Sequence, residues 1–107
     1  MPRKGQIMQV EFEGHYGVIH KIDVEPVTSE LGIWDTEIDV PFGRYRVVHI
    51  PTGKWITETY DESRALQITQ ELAALGDWSQ PEEVMRSSGL FLRASLVVSG
   101  YPEAMGW

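Results

Sequence analysis

Arg44-Tyr45-Arg46-Val47-Val48-His49-Ile50-Pro51-Thr52-Gly53-Lys54-Trp55-Ile56-Thr57-Glu58-Thr59-Tyr60-Asp61 is the stretch that decides the fold. Two runs rich in β-branched and aromatic residues flank Pro51 to Lys54, which is the pattern of a β-hairpin. Proline presets φ at the second turn position, and glycine supplies positive φ where the chain reverses. Asp61 then stands at a helix start, where its carboxylate can accept from first-turn amides, and Glu62 adds a favourable dipole interaction. Ala65, Ile68, Leu72 and Leu75 follow at helical spacing, one apolar stripe for packing on a sheet. Gly76 is the expected C-terminal cap. A hairpin followed by an amphipathic helix predicts a sheet with a helix on one face.

Towards the N-terminus, Met8, Val10 and Phe12 alternate with Gln9, Glu11 and Glu13, a half-buried strand. Gly14-His15-Tyr16-Gly17 is a turn, and Val18, Ile22 and Val24, with His20 among them, form a second strand that Pro26 ends. Trp34, Thr36, Ile38 and Val40 alternate with Asp35, Glu37 and Asp39, predicting a third strand with one apolar and one acidic face. Pro41-Phe42-Gly43 breaks it. Towards the C-terminus, Ser79-Gln80-Pro81-Glu82 has capping-box spacing for a short helix over 80–87 that stops near Gly89. Leu90, Leu92, Ala94, Leu96 and Val98 alternate again, which reads as a last, internal strand, with a helix as the competing reading. Strands first and helices later predict an α+β fold over a single domain, 1–107. The expected architecture is an antiparallel sheet of about five to six strands, with one long and one short helix on one face.

Composition narrows the function classes. The chain has 107 residues and no cysteine, so disulfide frameworks, thiolate catalysis and cysteine-ligated metals are excluded. No run approaches the roughly 18 apolar residues of a membrane span, and the N-terminus has no signal-peptide core. A cytoplasmic protein is the expectation. The formal charge is −7, which argues against a protein that coats DNA or an anionic membrane.

That charge is local. Residues 22–43 contain Asp23, Glu25, Glu30, Asp35, Glu37 and Asp39 and no Lys or Arg, a balance of −6. Within them, Asp35, Glu37 and Asp39 on one strand face would repeat about every 6–7 Å, near the phosphate spacing of a nucleic-acid strand. Such an array can meet a basic groove on a partner, hold a hard cation, or simply be a solvated, aggregation-resistant edge.

Motifs for catalysis are missing. No serine lies in Gly-x-Ser-x-Gly, and Pro51-Thr52-Gly53-Lys54 lacks the flanking residues of a phosphate loop. His15, His20 and His49 have no local metal-ligand spacing, although two strand histidines could converge in space. The second hairpin offers the opposite polarity, with Arg44, Arg46, Lys54 and Trp55 arranged as a β-ribbon reader of nucleic acid would carry them. From Arg44 to Leu75 the hairpin-then-helix outline is similar to the DNA-binding arm domain of tyrosine recombinases, without the clustered lysines and arginines of that family. The bland alternative is that the hairpin arginines pair with the acidic strand.

The leading expectation is a non-enzymatic binding protein without cofactor, metal or catalytic residues. It would engage a basic protein or nucleoprotein through Asp35, Glu37 and Asp39, with Trp34 and Trp107 as neighbours. Small, acidic, cysteine-free single domains of this type are frequent among phage and mobile-element inhibitors, anti-CRISPR proteins among them. The alternatives are a nucleic-acid-binding module using Arg44, Arg46, Lys54 and Trp55, and a small metal-dependent enzyme using His20 and His49. An exposed sheet edge would also allow a homodimer.

Overall fold

The computed structural model describes residues 7–37, 43–101 and 105–106. Its elements are β1 (Met8–Glu13), a 3-10 turn (His15–Gly17), β2 (Ile19–Pro26), β3 (Leu31–Asp35), β4 (Tyr45–His49) and β5 (Lys54–Thr59). Three helices follow, α1 (Glu62–Ala73), α2 (Glu82–Ser87) and α3 (Leu90–Ser99), then the two-residue β6 (Met105–Gly106). The strands lie in chain order, each antiparallel to the next. This is the expected α+β fold.

Local chemistry explains most boundaries. The second hairpin turns where expected, with Gly53 at φ 74° and its N–H donating to His49 O at 2.8 Å. Asp61 caps α1 by accepting from Ser63 N at 3.1 Å, and Ala65, Ile68 and Leu72 are fully buried. Gly76 does not act as the left-handed cap; α1 closes at Ala74, whose N–H returns to Gln70 O. The capping box also fails. Ser79 turns back to Asp77, whose carboxylate accepts from its amide and hydroxyl, and Pro81 stands at the N-terminus of α2 without a side-chain cap.

Residues 90–99 are a helix, not the strand that their alternation suggested. Leu90, Ala94 and Val98 are spaced four apart, so they satisfy a period of two and a helical repeat equally well. The helix buries those three and leaves Leu92 and Leu96 facing outward at 68% and 66% exposure. Gly89, at φ 84°, allows the sharp reversal between α2 and α3.

The third strand is also displaced. Thr28 Oγ1 accepts from Glu30 N and Leu31 N, closing a tight turn, so β3 begins at Leu31 and ends at Asp35. Thr36 still donates its amide to Arg44 O, but Glu37 turns out of the strand at φ 61°. Ile38, Asp39 and Val40 lie outside the described residues, as does Trp107.

Both faces of the sheet are covered. Leu31, Ile33, Val47 and Ile56 pack against Ile68 and Leu72 of α1, Met85 of α2, and Leu90 and Ala94 of α3, with Trp78 at their edge. On the opposite face the β1–β2 hairpin supplies Val10, Ile22 and Val24, which meet Val48 and are flanked by Phe12 and Trp34. This needs a strongly bent sheet. At Gly53 a Cβ would stand 2.6 Å from Glu11 O and 2.7 Å from Phe12 Cβ, so the β4–β5 turn abuts β1 directly. At Gly32 a Cβ would stand 2.4 Å from Val24 Cγ1. Both positions require glycine because another part of the chain occupies the space.

A register shift between Val47 and Val48 completes the frame. Strict alternation would put Trp55 and Glu58 on opposite faces of β5. The extra residue of the bulge lets both stand beside Arg46.

Candidate functional site

Antiparallel pairing puts Glu25 opposite Ile33 and Asp35 opposite Tyr45. Paired residues share a face, so these carboxylates point to the helix side of the sheet, where α1 begins. There a groove of about 370 Å³ is lined by Asp23 and Glu25 of β2, Asp35 and Glu37 at the end of β3, and Glu62 of α1. Its apolar lining is Ile7, Ile33 and Tyr45.

Of the acidic strand face expected from the sequence, Asp35 and Glu37 line this groove, while Asp39 lies outside the described residues. Asp35 and Glu37 are brought together by a backbone hook: Glu37 N–H donates to Asp35 Oδ1 at 2.9 Å. Asp23, Glu25 and Glu62 were not singled out as site residues. The dense run of acids in 22–43 was a signal for the first two, whereas Glu62 enters only through the docking of α1. Trp34 is not a neighbour of this site. It pairs with Arg46 on the other face, among the residues that pack beneath the β1–β2 hairpin.

The cations of the second hairpin are each engaged by an acid. Arg44 grips Asp35 in a two-pronged pair, Nε to Oδ1 at 2.7 Å and a terminal nitrogen to Oδ2 at 3.0 Å. Arg46 donates to Glu58 at 2.8 Å while its guanidinium lies between Trp34 and Trp55, 5.2 and 4.8 Å from the ring centroids. Lys54 bonds Glu82 at 3.2 Å. A nucleic-acid reader needs cations aimed outward at phosphates. Here the hairpin arginines are tied into the sheet, Arg44 to the acidic segment as the bland alternative expected.

The two strand histidines do not converge. His20 is exposed and stacks on Phe12, with centroids 5.1 Å apart and planes inclined by 19°. His49 is buried on the helix side, its Nε2 2.8 Å from Trp78 O and its Nδ1 2.9 Å from Thr52 Oγ1. A carbonyl can only accept, so Nε2 carries the proton, and in the neutral ring Nδ1 accepts from the Thr52 hydroxyl. Nε2 thus ties β4 to the loop before α2, while Nδ1 ties it to the β4–β5 turn. Among the described residues, no three His, Asp or Glu side chains form a group suited to a metal ion.

A second concavity lies between the β4–β5 turn and helices α2 and α3. It encloses about 250 Å³ and is lined by aromatic and apolar side chains, with Lys54, Glu82 and Arg86 at its rim. The hydrogen bond and charge of Lys54, supported by Arg86 one helical turn away, hold the Glu82 carboxyl below the usual carboxylate range. No described helix is long and apolar enough to cross a membrane. No family model matches the chain, and no curated protein or solved structure matches it either.

Proposed function

We propose that this chain is a non-enzymatic binding protein whose acidic groove receives a cationic segment of a macromolecular partner. One observation carries the reading. Five carboxylates from β2, the end of β3 and α1 line one groove, and of these Asp35 is paired with Arg44. The apolar lining from Ile33 and Tyr45 suits the aliphatic stem of a lysine or arginine, whose charged end would meet the rim. Occupying a basic surface that would otherwise hold nucleic acid is the mode of inhibition such a groove supports.

Asp35 is unsuited to a test because its loss would release Arg44. Asp23, Glu37 and Glu62 are better targets. Each exposed charge pair contributes about 0.5 kcal/mol, so neutralising three should weaken binding about tenfold. We expect hexalysine to bind the native protein at low ionic strength, measured by calorimetry. Asp23→Asn/Glu37→Gln/Glu62→Gln should bind it about tenfold more weakly and still unfold in one cooperative transition, shifted by about 0.5 kcal/mol for the lost Glu62 charge at the start of α1. Equal affinity for the two proteins would refute the reading.

A further inference from the structure

The concavity between the β4–β5 turn and α2–α3 shares no residue with the acidic groove, and its chemistry is opposite. Its wall is built from Trp55, Ile56, Trp78, Met85 and Phe91. The buried polar groups on that wall are already occupied. His49 uses both ring nitrogens, and Trp78 Nε1 donates to Leu72 O at 2.8 Å. A ligand body reaching the buried part of this wall would find its hydrogen-bonding groups occupied, so that body must be largely apolar; the half-exposed Trp55 adds an indole N–H that could serve a polar end. The flat flanking rings of Trp55 and Phe91 favour an aromatic body.

The rim supplies the polar end. Lys54 and Arg86 both hold the single carboxylate of Glu82, at 3.2 and 3.1 Å, which leaves one positive charge in excess. Arg86 is fixed in place by Phe91 as well, its guanidinium 5.5 Å from the ring centroid. From Val84 to Pro102 the sequence has no acidic residue and carries Arg86 and Arg93. In a protein of net charge −7 this is a locally cationic mouth over an apolar hollow. The volume falls just below the roughly 300–1,000 Å³ of pockets for drug-sized molecules, which sets the size at one small fused or single ring system.

We propose that this pocket binds a small aromatic anion, its ring against Trp55, Met85 and Phe91 and its carboxylate between Lys54 and Arg86. Glu82 then acts as the internal competitor that occupies the two cations until the ligand arrives.

The test is a titration with 2-naphthoate, followed by NMR on the assigned indole N–H signals of Trp55 and Trp78. Neutral 2-naphthylmethanol serves as the parallel probe. A ligand of this size at ordinary efficiency gives a dissociation constant on the order of 1 mM. We expect saturable shifts of both indole signals with 2-naphthoate, and about fivefold weaker binding of the alcohol. Lys54→Gln/Arg86→Gln should weaken 2-naphthoate by a similar factor and leave the alcohol unchanged. The two side chains are 67% and 63% exposed, so the variant keeps the fold. Absence of saturable shifts, equal binding of acid and alcohol, or indifference to the double substitution would each overturn the proposal.

Discussion

Replacing Gly53 with alanine is expected to cost about 3 kcal/mol of folding stability, a large share of what a small domain has. Two effects combine. The backbone at Gly53 has φ 74°, a left-handed conformation that costs an L side chain about 1–2 kcal/mol. The new Cβ would also stand 2.6 Å from Glu11 O and 2.7 Å from Phe12 Cβ, overpacking worth about 1–3 kcal/mol. Neither obstacle is the end of a flexible side chain, so relief requires moving β1 away from the turn. Gly17 isolates the two terms, because it has the same φ of 74° and its nearest obstacle, a Glu13 carboxylate oxygen, is 3.5 Å away. Urea denaturation of both alanine variants should therefore show a small loss for Gly17→Ala and a much larger one for Gly53→Ala. Equal losses would mean that the β1–β2 hairpin does not close against the β4–β5 turn.

Trp78→Ala should be the second severe change. The indole is 3% exposed and sits beside His49 and Phe91, with centroids 5.9 and 6.3 Å away. Removing a buried tryptophan side chain costs about 3–5 kcal/mol through lost burial and the cavity that remains. It also strips Leu72 O, near the C-terminus of α1, of its indole donor. Trp78→Phe keeps most of the volume and loses the N–H, so it should cost only about 1–2 kcal/mol. The unfolding midpoint in urea measures both. A loss below about 1 kcal/mol for Trp78→Ala would be incompatible with a core that includes this ring.

The parts of this fold that were legible are those whose signals are local. The hairpin from Arg44 to Tyr60 carries its own turn chemistry, and α1 carries its cap and stripe within fourteen residues from Asp61 to Ala74. The first hairpin followed for the same reason. At 90–98 the signal was degenerate: Leu90, Ala94 and Val98 fit both repeats, and the outward-facing Leu92 and Leu96 completed a false alternation. An exposed pair of leucines contradicts the rule by which hydrophobic patterns are read. The end of β3 depends on the left-handed Glu37, a residue type with no local preference for that conformation.

The candidate site divides in the same way. Mapping charge along the chain located Asp23, Glu25, Asp35 and Glu37 within one acidic segment. It could not supply Glu62, because that residue reaches the groove only after α1 docks on the sheet. Nor could it show that Arg44, Arg46 and Lys54 would each be answered by an acid 9, 12 and 28 residues away. Those pairings make each of the three cations half of an ion pair within the domain. The tryptophans illustrate the limit as well: Trp34 stands next to the acidic residues in sequence but on the opposite side of the sheet from them.

The claim that the acidic groove is the binding surface is tested most directly by mapping hexalysine onto the native protein with amide chemical-shift perturbation at low salt. The account predicts saturable shifts concentrated at Asp23, Glu37, Tyr45 and Glu62, fading as salt is raised. Shifts spread evenly over the exposed acids, or centred on residues outside the groove, would contradict it.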